Sequence, residues 1–385
     1  MRILVISNLY PPEILGGYEI LCQQVCCELI QRGHELRVLT TGQDTSRPEV
    51  DRSLRLTIPF AQKAKKDRLK SCLTHWHNAH QTTRVIAEFQ PDVIFCWSHL
   101  RLSLGAMRAA QASALPVLYT INDEHIAGYL PASGGRGLRS WVGWFLDRTF
   151  FRRLTLLAGA LPVTTTISKK VAENLERQGV PFSRNRVIYQ GIPIQQFPLK
   201  AQPGQLSDPL RVLYVGQLHP YKGVHRVLEA LEGWSSAISL SVIGDGPEDY
   251  KARLRGLAQG LDVQFFGKVD HSELPQLYRD HDIFVFPSIW EEPFGLTHLE
   301  AMASGLAVIS TVNGGQGEFL VHRENCLAIE PDSAESINSA LQELCQNPEL
   351  ALAIAHRGRR TVEEKLNTER YIDELEEFLQ ELAKG

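Results

Sequence analysis

The sequence predicts an α/β protein built from two doubly wound parallel sheets, one in each of two domains. The chain has 385 residues, and at roughly 100–200 residues per domain this length predicts about two domains. Short apolar runs alternate with amphipathic segments of helical period, an order typical of parallel strands joined by helices that cover both faces of a sheet. The alternation occurs twice, on either side of a segment interrupted by proline and glycine.

The first half of the chain begins with a predicted strand at residues 3–6. The helix that follows carries apolar residues four positions apart, among them Leu21, Val25 and Leu29. It is predicted to end before Gly33, because glycine is typical just after the end of a helix. Further strands are predicted at 36–39, 93–96, 117–120 and 163–167, and further helices near 70–89, 101–113 and 169–178.

The second half repeats this order. Its predicted strands are 211–215, 238–243, 263–266, 283–286 and 307–309, and its predicted helices lie near 222–232, 248–258, 272–279, 297–303, 333–345 and 368–383. The predicted domains are 1–195 and 210–366, with a linker at 196–209 and a C-terminal segment, 367–385, that is a candidate to pack back on the first domain. Ligands of doubly wound sheets bind beyond the carboxyl ends of the strands, so we expect the site in a cleft across which the two domains face each other.

Charge and cysteine content narrow the class of protein. Residues 1–200 contain 25 Lys and Arg against 15 Asp and Glu, a net charge of +10, whereas residues 201–385 contain 15 against 29, a net charge of −14. This asymmetry favours an anionic partner for one half.

The longest apolar run, 154–163, is shorter than the roughly 20 residues of a spanning helix, and the N-terminus has no cleavage site typical of a signal peptide. Seven cysteines without a CxxC pair predict buried thiols, including Cys22, Cys26 and Cys27, in the cytosol rather than a metal site.

Two glycine turns before predicted helices are candidates for binding phosphate, because a helix N-terminus offers free N–H groups and a positive dipole end. Gly16 and Gly17 follow the first strand, although a tight turn without a ligand fits them equally well. A second turn places Lys222 where a strand gives way to a helix, and its ammonium group could neutralise a diphosphate there. A solvated surface lysine is the alternative for Lys222.

The segment from 291 to 305 carries the most specific chemistry. Because Pro293 and Gly295 interrupt a helix, we place Glu292 in a loop and Glu300 on a helix that begins near Leu296. The backbone N–H groups of Gly295, Leu296 and Thr297 would then be free to donate to phosphate, while the two carboxylates accept hydrogen bonds from hydroxyl groups. This combination favours a sugar nucleotide, and the alternative is a pair of surface glutamates.

Together these motifs resemble the GT-B-fold glycosyltransferases of family 4, the large retaining group, across nearly the whole chain. The resemblance rests on motifs in a shared order, namely Gly16, Gly17, Tyr18 and Glu19, the segments 216–223 and 244–247, Phe265, Gly267 and Val269, the pair Glu292 and Glu300, and the later turn at Gly314 and Gly315. It implies retaining transfer of a sugar from a nucleotide-activated donor to an acceptor hydroxyl, in the synthesis of a polysaccharide, a glycolipid or another glycoconjugate. It implies no cofactor and no bound metal.

The resemblance also implies a role for each matching residue. Lys222 would contact the donor diphosphate, Glu300 the ribose, and Glu292 the hydroxyls of the donor sugar. Backbone amides near Glu292 would come from Phe294, Gly295 and Leu296, joined by Thr297 on the geometric argument above. Gly16 and Gly17 would lie near the phosphates and the transferred sugar, and Gly267 and Val269 would frame the base.

Three positions depart from the family pattern. Gln217 stands where the family usually has arginine, so one phosphate charge is missing, and Gln190 stands where it has asparagine. The family often has His-Asp directly after this strand. Here Asn122 and Asp123 follow it, and His125 comes three residues after Asn122. Either Asn122 takes the role of the missing histidine, His125 reaches in from the loop, or the chemistry is impaired, which keeps a catalytically weak sugar-nucleotide-binding protein open as an alternative. A sugar-nucleotide epimerase of the same fold is another.

A basic and aromatic stretch between Arg136 and Leu154 predicts a helix that could lie on an anionic membrane surface, at the inner face of the membrane. The lysines near residues 63–70 add to this charge. An interdomain or core helix with a basic edge fits the stretch equally well, and so does a surface that steers a lipid-linked phosphate acceptor. Nucleic acid is not an expected partner, because no nucleic-acid-binding motif occurs and the second half is acidic.

Overall fold

The computed structural model describes residues 1–43, 47–60, 68–131, 138–149, 155–156, 161–234 and 237–385. It divides the chain into two compact units. The first unit is Met1–Ile188 together with Ile372–Gly385, and the second is Tyr189–Tyr371. In this division the segment 196–209 lies inside the second unit, and most of the final helix belongs to the first.

The first unit contains a seven-stranded parallel sheet. Its strands are β1 (Arg2–Ile6), β2 (Glu35–Leu39), β3 (Val50–Asp51), β4 (Val93–Cys96), β5 (Val117–Ile121), β6 (Leu161–Thr166) and β7 (Phe182–Val187). The order β3-β2-β1-β4-β5-β6-β7 reverses direction between β1 and β4, where Ile3 pairs with Val93. In a doubly wound sheet this reversal opens a crevice at the carboxyl ends of the strands.

Helices connect these strands and cover the sheet. They are α1 (Gly17–Gln31), α2 (Arg68–Phe89), α3 (Gly105–Ala112), α4 (Leu138–Arg148) and α5 (Lys169–Arg177). Every residue of β4 and β5 is buried, as expected for central strands with helices on both faces. Helix α1 ends at Gln31, and Gly33 follows with φ of +88°, a backbone conformation that glycine adopts without steric cost.

The second unit contains a six-stranded parallel sheet in the order β10-β9-β8-β11-β12-β13. Its strands are β8 (Leu210–Val215), β9 (Ile238–Ile243), β10 (Asp262–Gly267), β11 (Ile283–Phe286), β12 (Ala307–Ser310) and β13 (Leu327–Ala328). The remaining helices are α6 (Val224–Ala230), α7 (Glu248–Leu257), α8 (Leu274–Arg279), α9 (Leu296–Ser304), α10 (Ala334–Gln346), α11 (Pro348–Lys365) and α12 (Thr368–Lys384). The order reverses between β8 and β11, so this sheet is doubly wound as well.

The predicted α/β class is confirmed, and most predicted elements occur within a few residues of their expected bounds. The sequence patterns did not predict the two-residue strands β3 and β13, the edge strand β7, whose sequence FSRNRV carries four consecutive polar residues, or the helix α11. The expectation of three buried thiols in α1 was wrong in part. Cys22 and Cys26 are buried, but Cys27 is exposed, because the helix turns its side chain away from the sheet.

Candidate functional site

Lys222 lies at the end of a short 3-10 turn, Pro220–Lys222, that follows β8. Gly223 comes next with φ of +75°, and a Cβ atom there would collide with the carbonyl oxygen of Pro287. The chain therefore needs glycine at 223 to bring this turn against the segment after β11. The result is a lysine side chain that is only 8% exposed, so the alternative of a solvated surface lysine does not describe it.

The ammonium group of Lys222 donates to both carboxylate oxygens of Glu292, over 2.6 and 2.8 Å. Glu292 is 6% exposed and also accepts a hydrogen bond from the hydroxyl of Ser288 at 2.5 Å. Around the ammonium, the rings of Trp290 and Tyr221 lie 5.0 and 5.6 Å away. A buried charge is tolerated only when it is paired and hydrogen-bonded, so both groups depend on this contact in the free protein.

The later glycine turn fixes the loop that carries Glu292. Gly315 donates its N–H to the carbonyl oxygen of Glu292 over 2.7 Å. A Cβ atom at Gly314 would collide with the backbone nitrogen of Glu292. The absence of a side chain at 314 is therefore a condition for this close approach of two loops.

Glu300 lies on α9, whose predicted beginning at Leu296 is confirmed. Its carboxylate is buried and accepts a hydrogen bond from the hydroxyl of Tyr278 over 2.8 Å, and the Nε2 atom of His271 lies 3.5 Å from its other oxygen. The neighbouring carboxylate raises the pKa of His271. The sequence reasoning missed Tyr278 and His271, because neither belongs to a recognisable motif.

The start of α9 is shaped by Phe294 and Gly295. Gly295 has φ of +98°, a left-handed conformation that directs the chain into the helix. Phe294 is buried and stacks on Tyr189 with ring centroids 5.8 Å apart. The first-turn N–H groups of the helix, including those of Leu296 and Thr297, have no acceptor within the helix. The loop thus offers donors for an anion next to the acid at 292.

His298 lies in the same helix and is fully buried. One ring nitrogen lies 3.1 Å from the carbonyl oxygen of Gly295 and the other 2.8 Å from the hydroxyl of Ser310. Burial lowers the pKa of His298 to about 3 from an ordinary value of 6.5. The ring is therefore neutral in the folded protein at pH 7, and it holds the N-terminus of α9 in place.

We expect this histidine to make the fold sensitive to acid. The unfolded chain binds a proton at His298 near pH 6.5 and the folded chain only near pH 3, so stability falls as the pH is lowered between these values. For one proton the slope is about 1.4 kcal/mol per pH unit. Denaturant unfolding across this range should show a shallower pH dependence for His298→Phe than for the unmodified chain. Equal slopes would contradict the assignment.

Three other residues of the second unit were predicted to bind the donor, namely Gly267, Val269 and Gln217. Gly267 ends β10 with φ of +71°, and its carbonyl oxygen accepts a hydrogen bond from the N–H of Gly244 over 2.8 Å. Val269 is half-buried two residues later. Gln217 is exposed, and its side-chain oxygen accepts a hydrogen bond from the hydroxyl of Tyr221 over 3.3 Å. The structure therefore joins Lys222 directly to Glu292 but does not record a direct contact of either with Gln217.

Gly16 and Gly17 belong to the first unit, at the N-terminus of α1. Both are exposed, and a Cβ atom built on either would meet nothing within 4 Å. The buried carboxylate of Glu19 accepts the N–H of Gly16 over 3.0 Å. This is one of the two hydrogen bonds of a capping box, since Gly16 has no side chain to make the other. Among the described residues, no steric demand explains the two glycines, and none of those residues fills the space beside them.

Asn122, Asp123 and His125 follow β5, also in the first unit. The Nδ1 atom of His125 lies 2.7 Å from the carboxylate of Asp123, and this contact raises the pKa of His125 and lowers that of Asp123. The Nδ2 atom of Asn122 is buried and, among the residues that the structure describes, has no hydrogen-bond partner. His125 is 58% exposed, so its ring faces solvent.

His99 follows the neighbouring strand β4 and was not among the residues predicted for the site. It is buried, and desolvation lowers its pKa to about 4. Its Nδ1 atom has no hydrogen-bond partner within the described part of the chain. A lone histidine after an apolar run carries no motif, so only the structure singles it out.

The basic and aromatic stretch between Arg136 and Leu154 is described only from 138 to 149. Its helix α4 exposes Trp141 and Phe145, whose rings stack 5.7 Å apart. On α2, Leu73 and Trp76 are about two-thirds exposed. The lysines at 63, 65 and 66 lie outside the described residues. A bilayer-crossing segment is not found among the described helices, each of which is too short or too polar.

Comparisons with known proteins cover both units. A family model described as Glycosyltransferase Family 4 matches residues 15–196, and one described as Glycosyl transferases group 1 matches residues 196–361. Glycogen synthase of Mycobacterium tuberculosis is 27% identical over 395 aligned positions, covering 96% of this chain and 91% of that protein.

Two solved structures resemble the whole chain. Sucrose-phosphate synthase from Thermosynechococcus elongatus superposes with a TM-score of 0.73 at 21% identity, covering 99% of this chain and 98% of that one. HepE from Anabaena, solved in complex with UDP and glucose, superposes with a TM-score of 0.71 at 17% identity and covers 99% of both chains. These likenesses confirm the predicted architecture of two Rossmann-like domains.

Proposed function

We propose that this chain, which belongs to the group 1 glycosyltransferases of GT-B fold, transfers a sugar from a nucleotide-activated donor to an acceptor hydroxyl with retention of anomeric configuration. The observation that carries the donor class is the buried ion pair between Lys222 and Glu292 beside the first turn of α9. A cation, a carboxylate and free backbone amides in one place match a diphosphate joined to a polyhydroxyl ring.

In this proposal Lys222 stabilises the negative charge that develops on the leaving diphosphate. Its ammonium group is nearly excluded from water, and electrostatic stabilisation is stronger in such a site than in solution. The first-turn amides of α9 and the positive end of its dipole add donors for the same charge. The proposal therefore gives no step to a metal ion or a cofactor.

Glu292 and Glu300 bind the two sugar rings of the donor in this proposal. Glu292 accepts from hydroxyls of the transferred sugar once it shares Lys222 with the diphosphate, and Glu300 accepts from the ribose. The donor is further framed by Gly267 and Val269 at the base. The glucose and UDP bound to the Anabaena protein support this donor class for a chain of the same fold.

In this proposal the first unit binds the acceptor and also contacts the phosphates and the transferred sugar of the donor. Gly16 and Gly17 leave open space at a helix N-terminus, which suits the phosphates and the transferred sugar. Asn122 offers a buried amide nitrogen without a partner among the described residues, so we place it, rather than the solvent-facing His125, against the reacting sugar. Asp123 then orients His125. The products we propose are a polysaccharide, a glycolipid or another glycoconjugate.

A thermal-shift screen against UDP-, GDP- and ADP-sugars tests the donor class, because a ligand that binds only the folded state raises its stability. We expect one nucleotide series to raise the melting temperature, and the Lys222→Ala variant to lose the shift. NMR of the product formed from that donor then reports the anomeric configuration. A product with inverted configuration would overturn the retaining mechanism, and turnover that needs no acceptor would favour an epimerase.

We further propose that the first unit binds an anionic membrane surface from the cytosolic side. The exposed apolar residues include Trp141 and Phe145 on α4 and Leu73 and Trp76 on α2. The first unit, Met1–Ile188 with Ile372–Gly385, contains 25 Lys and Arg against 20 Asp and Glu, a net charge of +5. Aromatic and aliphatic side chains insert at the headgroup level, while basic residues add electrostatic attraction.

Liposome flotation checks this membrane proposal. We expect the chain to float with vesicles that contain phosphatidylglycerol and to remain at the bottom with purely zwitterionic vesicles, and we expect added salt to weaken the association. The double variant Trp76→Ser with Trp141→Ser should lose most of the bound fraction. Absence of flotation with anionic vesicles at low salt would end the proposal.

A further inference from the structure

We propose that His219, Tyr221 and Trp290, here termed the aromatic ledge, bind a pyranose ring of the acceptor. The inference rests on the proposed transferase function and adds, in the second unit, an acceptor subsite to the acceptor contacts proposed for the first unit. The ledge belongs to the second unit and lies beside Lys222. Its ligand class is a neutral saccharide, recognised through the apolar face of its ring.

Three rings meet in the ledge. The ring centroids of His219 and Tyr221 are 4.0 Å apart with an interplanar angle of 31°. Trp290 packs edge-on against Tyr221 at 5.8 Å. Such contacts between aromatic rings are favourable and fix their relative orientation. The ledge is therefore a preformed surface rather than a set of independent side chains.

The backbone holds the ledge rigid. The N–H groups of Ile289 and Trp290 both donate to the carbonyl oxygen of Tyr221, over 2.9 and 3.1 Å. The hydroxyl of Tyr221 donates to the side chain of Gln217 over 3.3 Å. Gln217 thus positions a ring at the place where the family pattern has an arginine. A rigid aromatic surface loses little conformational entropy when a ligand binds.

Exposure indicates that the ledge is a binding surface and not part of the core. Trp290 is 45% exposed and Tyr221 is 37% exposed, although both contact a site whose charged members are nearly buried. Large aromatic side chains left exposed beside buried charged groups are typical of recognition surfaces. A pyranose ring has an apolar face of carbon-bound hydrogens and a polar rim of hydroxyls, and it matches an apolar ring surface next to charged groups.

The difference in exposure between these rings and the charged groups assigns the ledge to the acceptor. Lys222 and Glu292, which we give to the donor, are 8% and 6% exposed, so the donor's diphosphate and sugar occupy the inner part of this site. The ammonium of Lys222 lies over the ring of Trp290, 5.0 Å from its centroid, and 45% of Trp290 remains exposed to solvent. In this assignment a pyranose ring binds the exposed part of Trp290, and the donor binds the buried charges.

Saturation-transfer difference NMR with the methyl pyranosides of glucose, galactose and mannose tests the ledge. We expect signals from carbon-bound hydrogens of at least one glycoside with the unmodified chain, reduced about threefold to tenfold in Trp290→Ala and in Tyr221→Ala. Trp290→Phe should retain most of the signal. Leu352→Ala is the matched control, since Leu352 is also exposed, at 44%, but lies on α11.

Two results would overturn the proposal. One is a pyranoside signal that is absent, or equal in all variants. The other is loss of the signal when UDP-, GDP- or ADP-sugars are added, which would assign the ledge to the donor sugar. The pyranoside experiment contains no nucleotide in its first stage, so its failure is separate from a failure of the thermal-shift screen, which tests the proposed function itself.

Discussion

Replacement of Lys222 by alanine is expected to raise the donor concentration needed for half-maximal turnover by about a hundredfold. A hydrogen bond to a charged group contributes about 1.5–3 kcal/mol, and every 1.4 kcal/mol corresponds to a factor of ten in affinity. Position 217 is glutamine and carries no charge, so it cannot compensate for the positive charge that the Lys222→Ala variant loses. Turnover at saturating donor should fall as well, since the charge on the leaving diphosphate loses its main partner.

The control for this variant must remove a buried lysine without touching the site. Lys200 offers it, because its ammonium group pairs with the buried carboxylate of Asp282 over 3.0 Å in the same unit. We expect Lys200→Ala and Lys222→Ala to lose comparable stability, since each leaves a buried carboxylate without its lysine. Only Lys222→Ala should lose donor affinity. Unchanged turnover of Lys222→Ala at subsaturating donor would refute the assigned role.

Replacement of Glu300 by alanine is expected to weaken donor binding by about ten- to a hundredfold, because a carboxylate that accepts from ribose hydroxyls makes charge-assisted hydrogen bonds. The effect should appear in isothermal titration calorimetry with the nucleotide sugar and, nearly as large, with the free nucleoside diphosphate. The donor affinity of Glu300→Gln should lie between those of the unmodified chain and Glu300→Ala, since the amide retains one acceptor oxygen without the charge.

Tyr278 separates a binding role of Glu300 from a structural one. The Tyr278→Phe variant removes the 2.8 Å hydrogen bond to Glu300 but leaves the carboxylate available to the ribose. We expect it to lower the melting temperature and to bind the donor within about threefold of the unmodified chain. If Glu300→Ala and Tyr278→Phe show the same donor affinity, Glu300 only holds α8 and α9 together.

The sequence predicted the framework of the second unit well because the central strands β8, β9, β11 and β12 are largely buried on both faces. The run that forms β11 is apolar throughout, and the run that forms β9 is interrupted only by Ser239 and Ser241. Burial of such runs dominates the choice of conformation. Prediction failed at α11, where small and charged residues follow one another without a strong apolar stripe. It also failed at β7, an edge strand whose exposed positions carry polar side chains.

The candidate site was predictable only as a set of residue types. The lysine before a helix, the two acids and the glycine turn could be named from their motifs, but Tyr278, His271 and Ser288 could not. Ser288 lies only four residues before Glu292, but no motif marks it. Tyr278 and His271 reach Glu300 from parts of the chain more than 20 residues away. The aromatic ledge was invisible for the same reason, since Tyr221 and Trp290 come from different loops.

By itself the sequence determined the fold class, the order of strands and helices and the chemical types in the site. Hydrophobic periodicity and turn residues act between neighbours along the chain, so they can be read in one dimension. Only the tertiary structure decided that Lys222 and Glu292, 70 residues apart, become partners in a buried pair. That choice depends on the approach of two backbone segments at Gly223 and Gly314, and no local preference encodes it.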